Sequence, residues 1–265
     1  MRALDFGNLT HPGPDGSKTS QPQMYFLCYM NDRWKAMLLH IPKNAGSSVA
    51  ENLADIFCAA TENATCDTKE QRMKHFKISE KCVKNPSYFS FAFTRNPWDR
   101  AVSFWSYGLK RRQLAVKDLK KRKELAAKYC SFRQFLFNKG RGGCGYHTEY
   151  EQYPLIYDSK GRPGLNFLGR VEHFQRDFQA ILMRIDPTGK LLAVYRKLGF
   201  VMHNDSGHRP YQDYYSDDEM KTRVTAKWPQ DVKLGYTFNF TGVKMNITTY
   251  ADGKPAAELM FGDVA

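Results

Sequence analysis

The sequence lacks any apolar run long enough to cross a bilayer, and it does not begin with the apolar stretch typical of secretory signal peptides. From these absences we expect a chain without an integral membrane segment. Its six cysteines include no Cys-x-x-Cys pair, which argues against a zinc site, and a chain of 265 residues can form a core without disulfides. We therefore expect reduced thiols and no bound metal.

Acidic residues are in the minority, with 27 Asp and Glu against 40 Lys and Arg, for a formal net charge of +13. This excess predicts anionic partners, but it does not separate nucleic acid, acidic polysaccharide, anionic lipid and phosphorylated small molecules. Residues 110–128 alone carry nine basic and two acidic side chains. This basic segment, which we expect to be helical, is either a binding surface for an anionic partner such as a glycan or a solvated helix.

The compartment is predicted from the cysteines and from possible glycosylation sites. Asn-x-Ser/Thr triplets, which would be glycosylated in a secretory lumen, occur at Asn8, Asn63, Asn204, Asn239 and Asn246. Because such triplets arise often by chance and the thiols are expected to be reduced, we predict a cytoplasmic protein. The alternative is a Golgi or secretory lumen, with a membrane anchor outside this sequence.

Composition divides the chain into three parts. Residues 1–23 are rich in Gly, Pro, Ser and Thr and lack periodicity, which predicts a flexible leader. Residues 24–240 are expected to form a single folded domain, and residues 241–265 a C-terminal extension of unknown role. No internal repeat is found, and the sequence does not indicate an oligomeric state.

A strand, a tight turn and a helix follow one another twice. The apolar run 36–41 predicts a buried strand, and the helix after it has Ser47 or Ser48 as its expected cap. One face of that helix is apolar and consists of Val49, Leu53, Ile56 and Phe57. The run 88–94 predicts a second strand, after which Asn96 and Pro97 fit a helix cap and first helical position.

A third strand is predicted at 165–169, before an amphipathic helix. Alternation of strands and helices favours an α/β fold with a parallel sheet covered by helices. At the first strand–helix turn, backbone N–H groups and the positive end of the helix dipole would point at one spot, as in phosphate sites. An ordinary turn with a surface lysine is the alternative. A magnesium-dependent ATPase loop is disfavoured because Lys43 precedes Gly46 instead of following it.

Four blocks of the sequence occur together in a recognisable order. "HIPKNAGSS" and "FAFTRNPWDRAVSFWSY" resemble the two cofactor-binding motifs of sulfotransferases that use 3′-phosphoadenosine 5′-phosphosulfate (PAPS), in the branch with carbohydrate sulfotransferases and bacterial and algal relatives. "FLGRVEHFQRDF" and the region after Asn204 fit the same branch. The resemblance covers roughly residues 36–240, and four ordered motifs are more specific than one glycine-rich loop.

This resemblance implies a P-loop, nucleotide-kinase-like three-layer sandwich with a central parallel sheet. It also implies that PAPS is the co-substrate, that 3′-phosphoadenosine 5′-phosphate (PAP) is the product, and that Lys43 contacts the bridging oxygen where charge develops. The loop residues expected to hold the 5′-phosphosulfate are Pro42, Lys43, Asn44, Ala45, Gly46, Ser47 and Ser48.

The second motif is expected to bind the 3′-phosphate through Arg95 and Ser103, since a guanidinium fork suits phosphate oxygens. The alternatives are that Arg95 is a structural partner of Asp99 and that Ser103 only packs. Neighbouring side chains are expected to have other roles, with capping and packing for Asn96, Trp98 and Asp99 and a solvated face for Arg100.

The segment "SGHRPY" would close over the cofactor, with Gly207, His208 and Arg209 as binding residues. The alternative is an exposed loop that is anchored in the core by three tyrosines, Tyr211, Tyr214 and Tyr215.

Transfer of a sulfuryl group to a hydroxyl needs a base, and histidine is suited to this role near neutral pH. The resemblance implies His75, which lies between the two cofactor motifs, whereas His40 is expected to be structural. The alternative for His75 is a solvated position on a basic surface helix. The predicted acceptor is a carbohydrate hydroxyl or that of a small metabolite. The alternative function is the binding of nucleic acid or another polyanion by a basic protein on an α/β scaffold. The sequence contains no nucleic-acid-binding motif, so we do not expect nucleic acid as a partner.

Overall fold

The computed structural model describes most of the region with recognisable motifs. The described residues are 27–61, 74–77, 87–115, 131–137, 151–157, 161, 163–203, 207–240, 250–251 and 254–255. The predicted leader at 1–23, the basic segment beyond residue 115 and most of the extension at 241–265 lie outside them. Within the part of the chain that the structure describes, no helix combines the length and the apolar character needed to cross a membrane.

The chain divides into two compact units. Unit 1 takes its described residues from Met1–Phe93, Pro154–Val201 and Asn246–Ala265, and unit 2 takes its own from Thr94–Tyr153 and Met202–Met245. The single folded domain over 24–240 therefore stays a prediction.

A five-stranded sheet has the strand order β3-β1-β2-β4-β5. Its strands are β1 (Leu27–Asn31), β2 (Ala36–His40), β3 (Lys74–Lys77), β4 (Phe89–Thr94) and β5 (Phe167–Arg170). β2 and β4 pair parallel, with Leu38 opposite Phe91, while β1 pairs antiparallel with both β2 and β3. A further antiparallel pair joins β6 (Tyr250–Ala251) to β7 (Lys254–Pro255).

The predicted α/β class is confirmed, and so are the strands expected at 36–41, 88–94 and 165–169. The parallel pairing lies at the centre of the sheet, and β1 and β3 extend it with antiparallel neighbours. β1 and β2 must be antiparallel because only a four-residue turn joins them. Asn31 stabilises that turn, since its side-chain oxygen accepts a hydrogen bond from the N–H of Trp34 at 2.9 Å.

Seven helices are described. They are α1 (Gly46–Ala59), α2 (Pro97–Ala115), α3 (Phe132–Phe137), α4 (Tyr153–Ile156), α5 (Phe174–Ile185), α6 (Lys190–Leu198) and α7 (Asp218–Lys227), and 3-10 turns cover Val171–His173, Tyr211–Tyr214 and Asp231–Leu234. In unit 1, α1 packs on β2 and α6, and α5 packs on β5 and α6. The apolar face predicted for α1 is confirmed, because all four of its residues are at most 1% exposed.

Two cysteines of unit 1 differ from the expectation of reduced thiols. Cys28 in β1 and Cys58 in α1 are both disulfide-bonded. The expectation was wrong for these residues because sequence spacing does not reveal which cysteines meet in the fold. The remaining four cysteines lie outside the described residues.

Unit 2 is built around α2, which packs against α3 and α7. The predicted cap is confirmed, since the Asn96 side chain accepts a hydrogen bond from the N–H of Trp98 at 3.0 Å. The indole of Trp98 is buried and donates to the Lys221 carbonyl at 3.0 Å. The solvated face expected for Arg100 is wrong: this residue is fully buried and pairs with Asp231 at 3.4 Å. The helical spacing of residues around Arg100 does not reveal an acidic partner that lies 131 positions later in the sequence.

Candidate functional site

The loop between β2 and α1 is the centre of the first candidate site, in unit 1. Lys43 and Ala45 adopt the left-handed backbone conformation, with φ of 69° and 60°. Ala45 is the N-cap of α1 and makes no side-chain cap hydrogen bond. The expected cap at Ser47 or Ser48 was therefore wrong, because both serines lie inside the helix.

This loop presents its backbone N–H groups where an anion would be stabilised. The first hydrogen bond of the α-helical ladder runs from the N–H of Val49 to the carbonyl of Ala45 at 3.0 Å. The N–H groups of Gly46, Ser47 and Ser48 thus belong to the end of α1 that precedes this ladder. The first turn contains no acidic residue, so no side chain of that turn neutralises the positive end of the helix dipole. Left-handed residues in such a turn favour an anion-binding concavity.

Two buried contacts fix the conformation of this loop. The side-chain amide of Asn44 donates to the carbonyl of Phe93 in β4 at 2.8 Å. Gly46 lies against the ring of His40, and a Cβ at position 46 would come within 2.1 Å of the Cδ2 atom of His40. The ring of His40 therefore packs against the start of α1, which agrees with the structural role expected for it, and Asn44 uses its amide to hold the loop to the sheet.

Asn52, on the next turn of α1, was missed by the sequence reasoning. Its amide donates to the carbonyls of Ser48 and Val201 at 2.6 and 2.7 Å, and its oxygen accepts from the N–H of Val201 at 2.9 Å. Asn52 thereby joins the first turn of α1 to the segment after α6. A buried polar residue among the apolar positions of α1 is the signal that could have identified it.

The backbone of the loop gives a prediction for stability. Replacing Ala45 by glycine should raise the free energy of unfolding by roughly 0.5–1 kcal/mol, because an L residue is strained at this φ. Ala54→Gly, in the right-handed part of the same helix, should lower it by about 0.5–1 kcal/mol. Urea denaturation of both variants measures the difference. Equal losses in the two would contradict the left-handed conformation of Ala45.

Arg95 is the main residue of the second candidate site, in unit 2. Its Nε donates to the Asp99 carboxylate at 2.7 Å, as the structural alternative predicted. One Nη group lies 3.1 Å from Nε2 of His208. Because arginine only donates, this nitrogen of His208 must accept, which places the ring proton on Nδ1. Nδ1 then donates to the carbonyl of Arg209 at 2.7 Å. Arg95 and His208, both predicted as site residues, are thus brought together.

The other residues predicted for this site lie in different surroundings. Ser103 is buried inside α2, a position that agrees with packing. Gly207 and Arg209 are exposed, and the Arg209 side chain, 71% exposed, lies 4.0 Å from Asp213.

The segment around these residues is anchored as the alternative expectation stated. The Tyr215 hydroxyl donates to the Trp98 carbonyl at 2.8 Å, and that of Tyr211 donates to the carbonyl of Phe238. Burial, together with the Asp99 carboxylate, raises the pKa of Tyr215 well above its ordinary value, so this hydroxyl remains a donor. Tyr211 and Tyr215 therefore anchor the segment that directly follows the exposed loop at 207–209.

His75 lies in β3, the edge strand of the sheet, and pairs in register with Tyr29 of β1. The alternative of a surface helix is wrong, because β1 offers Lys74–Lys77 an antiparallel partner. Among the described residues, no group of three or more His, Cys, Asp or Glu side chains is arranged to hold a metal ion.

Comparison with known proteins agrees with the motifs in both units. A family model described as "Sulfotransferase family" matches residues 28–239, which is most of the chain. No curated protein and no solved structure matches the chain. The matched range contains the β2–α1 loop, Arg95 and the loop at 207–209.

Proposed function

Because the chain belongs to the sulfotransferase family, we propose that it transfers a sulfuryl group from PAPS to an acceptor hydroxyl. Membership of this family identifies the chain as a transferase. We propose PAPS as the donor and a carbohydrate as the acceptor, with a small metabolite as the alternative acceptor. The observation that carries it is the β2–α1 loop, whose backbone donors, left-handed residues and lack of first-turn acids suit an anionic donor.

The 5′ end of the donor is assigned to residues 42–48. When bound, PAPS supplies a sulfuryl group activated by its bond to a phosphate. The N–H groups of Gly46, Ser47 and Ser48 would hold its oxygens. Lys43 would stabilise the charge that develops on the bridging oxygen, because a fixed cation is most effective where charge appears in the transition state. Sulfuryl transfer resembles phosphoryl transfer, in which positioning and charge stabilisation do most of the work.

The 3′-phosphate is assigned to Arg95, with Ser103 as a second contact. Asp99 and His208 accept hydrogen bonds from the Arg95 guanidinium and so orient it. Gly207, His208 and Arg209 are proposed to close over the nucleotide, which suits their place in a loop with exposed ends. His75 is proposed to remove the proton from the acceptor hydroxyl.

PAP binding tests this function. A ligand that binds only the native state raises the free energy of unfolding, by about 2.7 kcal/mol at about 100 times its Kd. We expect PAP to raise the melting temperature, and ATP with magnesium at the same concentration to have little effect. Equal stabilisation by ATP with magnesium, or none by PAP, would contradict the proposed donor.

The alternative of a nucleic-acid- or polyanion-binding protein is supported by charge alone, and membership of the family does not favour it. Salt-sensitive binding to mixed oligonucleotides that PAP does not displace would restore it.

The disulfides at Cys28 and Cys58 bear on the compartment. Disulfides form and persist in oxidising compartments and are rare in the cytosol. They support the Golgi or secretory lumen over the cytoplasm, and we propose that compartment for this chain.

A further inference from the structure

The side chain of Gln152 pairs with the main chain of Arg95. The N–H of Arg95 donates to Oε1 of Gln152 at 2.9 Å, and Nε2 of Gln152 donates to the Arg95 carbonyl at 2.8 Å. Arg95 is the first residue after β4, so these two bonds hold the main chain directly after the end of that strand. Gln152 is fully buried, and a buried amide contributes to stability only when its donors and acceptor are paired.

Asp231 holds Gln152 in turn. Its Oδ1 accepts from the N–H groups of Gln152 and Tyr153, at 2.6 and 2.9 Å. Its Oδ2 accepts from Nε2 of Gln152 at 3.2 Å and from Arg100 at 3.4 Å. All four partners are N–H donors, so they stabilise the carboxylate form. Burial raises the pKa of Asp231 against the lowering effect of these donors.

Glutamine is the residue type that this geometry requires. Its oxygen accepts from Arg95, and the two hydrogens of its amide reach the Arg95 carbonyl and the Asp231 carboxylate. Glutamate would lack both donors and would place a second carboxylate beside Asp231. Methionine has a similar shape but could make none of these bonds.

We propose that Gln152, held by Asp231, is a positioning residue for Arg95. It fixes the main chain of Arg95 while Asp99 fixes the guanidinium at Nε, so that the side chain is held at both ends. The guanidinium is thereby preorganised to bind the 3′-phosphate, which lowers the cost of ordering it on binding. This inference rests on the proposed function of Arg95.

Five variants and two ligands test the inference by titration calorimetry. The ligands are PAP and adenosine 5′-monophosphate, which lacks the 3′-phosphate. Gln152→Met should weaken PAP about tenfold, because a shifted arginine loses its phosphate geometry. It should leave adenosine 5′-monophosphate within about twofold. In an Arg95→Ala background, Gln152→Met should have no further effect on PAP, because it acts through Arg95.

Glu151→Ala is the matched control. Glu151 precedes Gln152 and accepts from the N–H of Gln230 at 3.0 Å, so its removal loosens the same segment while the Gln152 side chain is retained. It should weaken both ligands equally or neither. Asp231→Asn keeps the shape of its side chain but replaces one of the two accepting oxygens by an amide nitrogen, so it should also weaken the binding of PAP and not that of adenosine 5′-monophosphate. This second variant tests the inference if Gln152→Met does not fold.

The outcomes separate the inference from the function on which it rests. If Arg95→Ala reduces PAP selectivity but Gln152→Met and Asp231→Asn weaken both ligands equally, Gln152 only supports the fold and the inference is overturned. The inference is also overturned if the losses from Arg95→Ala and Gln152→Met add independently. If Arg95→Ala weakens both ligands equally, the assignment of Arg95 to the 3′-phosphate itself is wrong.

Discussion

His75→Ala should lower turnover on the true acceptor by on the order of a hundredfold to ten-thousandfold, the usual loss when a positioned base is removed. PAP affinity should stay nearly intact, because His75 is assigned to the acceptor hydroxyl. The wild-type rate should also fall on acidification. Histidine ordinarily titrates at about pH 6.5, and a protonated imidazole cannot accept the hydroxyl proton. Initial rates across pH and calorimetric PAP binding measure these effects.

His173 provides a control for the pH profile. Burial, together with Arg176, lowers the pKa of His173, so it loses its proton at a lower pH than an ordinary histidine. A fall in rate near the ordinary range would therefore not come from His173. If His75→Ala turns over at close to the wild-type rate, another group takes the proton. His208, in the loop proposed to close over the nucleotide, would then be the next residue to replace.

Lys43→Ala should reduce kcat by roughly a hundredfold to a thousandfold, the loss typical when one donor to a developing charge is removed. The free energy of unfolding should change by less than about 0.5 kcal/mol, since the residue is not in the core. Alanine keeps a Cβ at this left-handed position, so the variant removes the ammonium group without relieving backbone strain. Single-turnover kinetics and urea denaturation measure the two effects.

Lys35→Ala is the matched control for Lys43→Ala. Lys35 also has a positive φ, at 48°, but it lies in the exposed turn between β1 and β2. Its replacement removes the same charge from the same kind of backbone position outside the candidate loop. We expect close to wild-type kcat from it. Wild-type turnover in Lys43→Ala, or equal losses in both variants, would remove Lys43 from the mechanism.

Local patterns predicted the parts of the fold that depend on neighbouring residues. Apolar runs located β2 and β4 because strands buried on both faces need continuous hydrophobic side chains. The spacing of Val49, Leu53 and Ile56 predicted the buried face of α1 because helical neighbours recur every three to four residues. The cap at Asn96 was predicted because its side chain bonds within its own turn.

Contacts between distant segments could not be predicted in this way. Ala45 became the cap of α1 because Asn44 and Gly46 are held by β4 and β2, whereas local preference favoured serine. Arg100 is buried because Asp231 meets it in unit 2. For Gln152, no local pattern indicated that its amide would pair with Arg95. The disulfides were missed for the same reason.

The contact between Gly46 and His40 has a consequence for how this sequence can vary. The ring of His40 occupies the volume that a side chain at position 46 would need. Any larger residue at position 46 is therefore tolerable only if position 40 becomes smaller at the same time. In related chains, the two positions should change together. A single Gly46→Ala substitution should not be tolerated, whereas the same substitution combined with His40→Ala should be. The residue types allowed at one position therefore depend on the residue at the other.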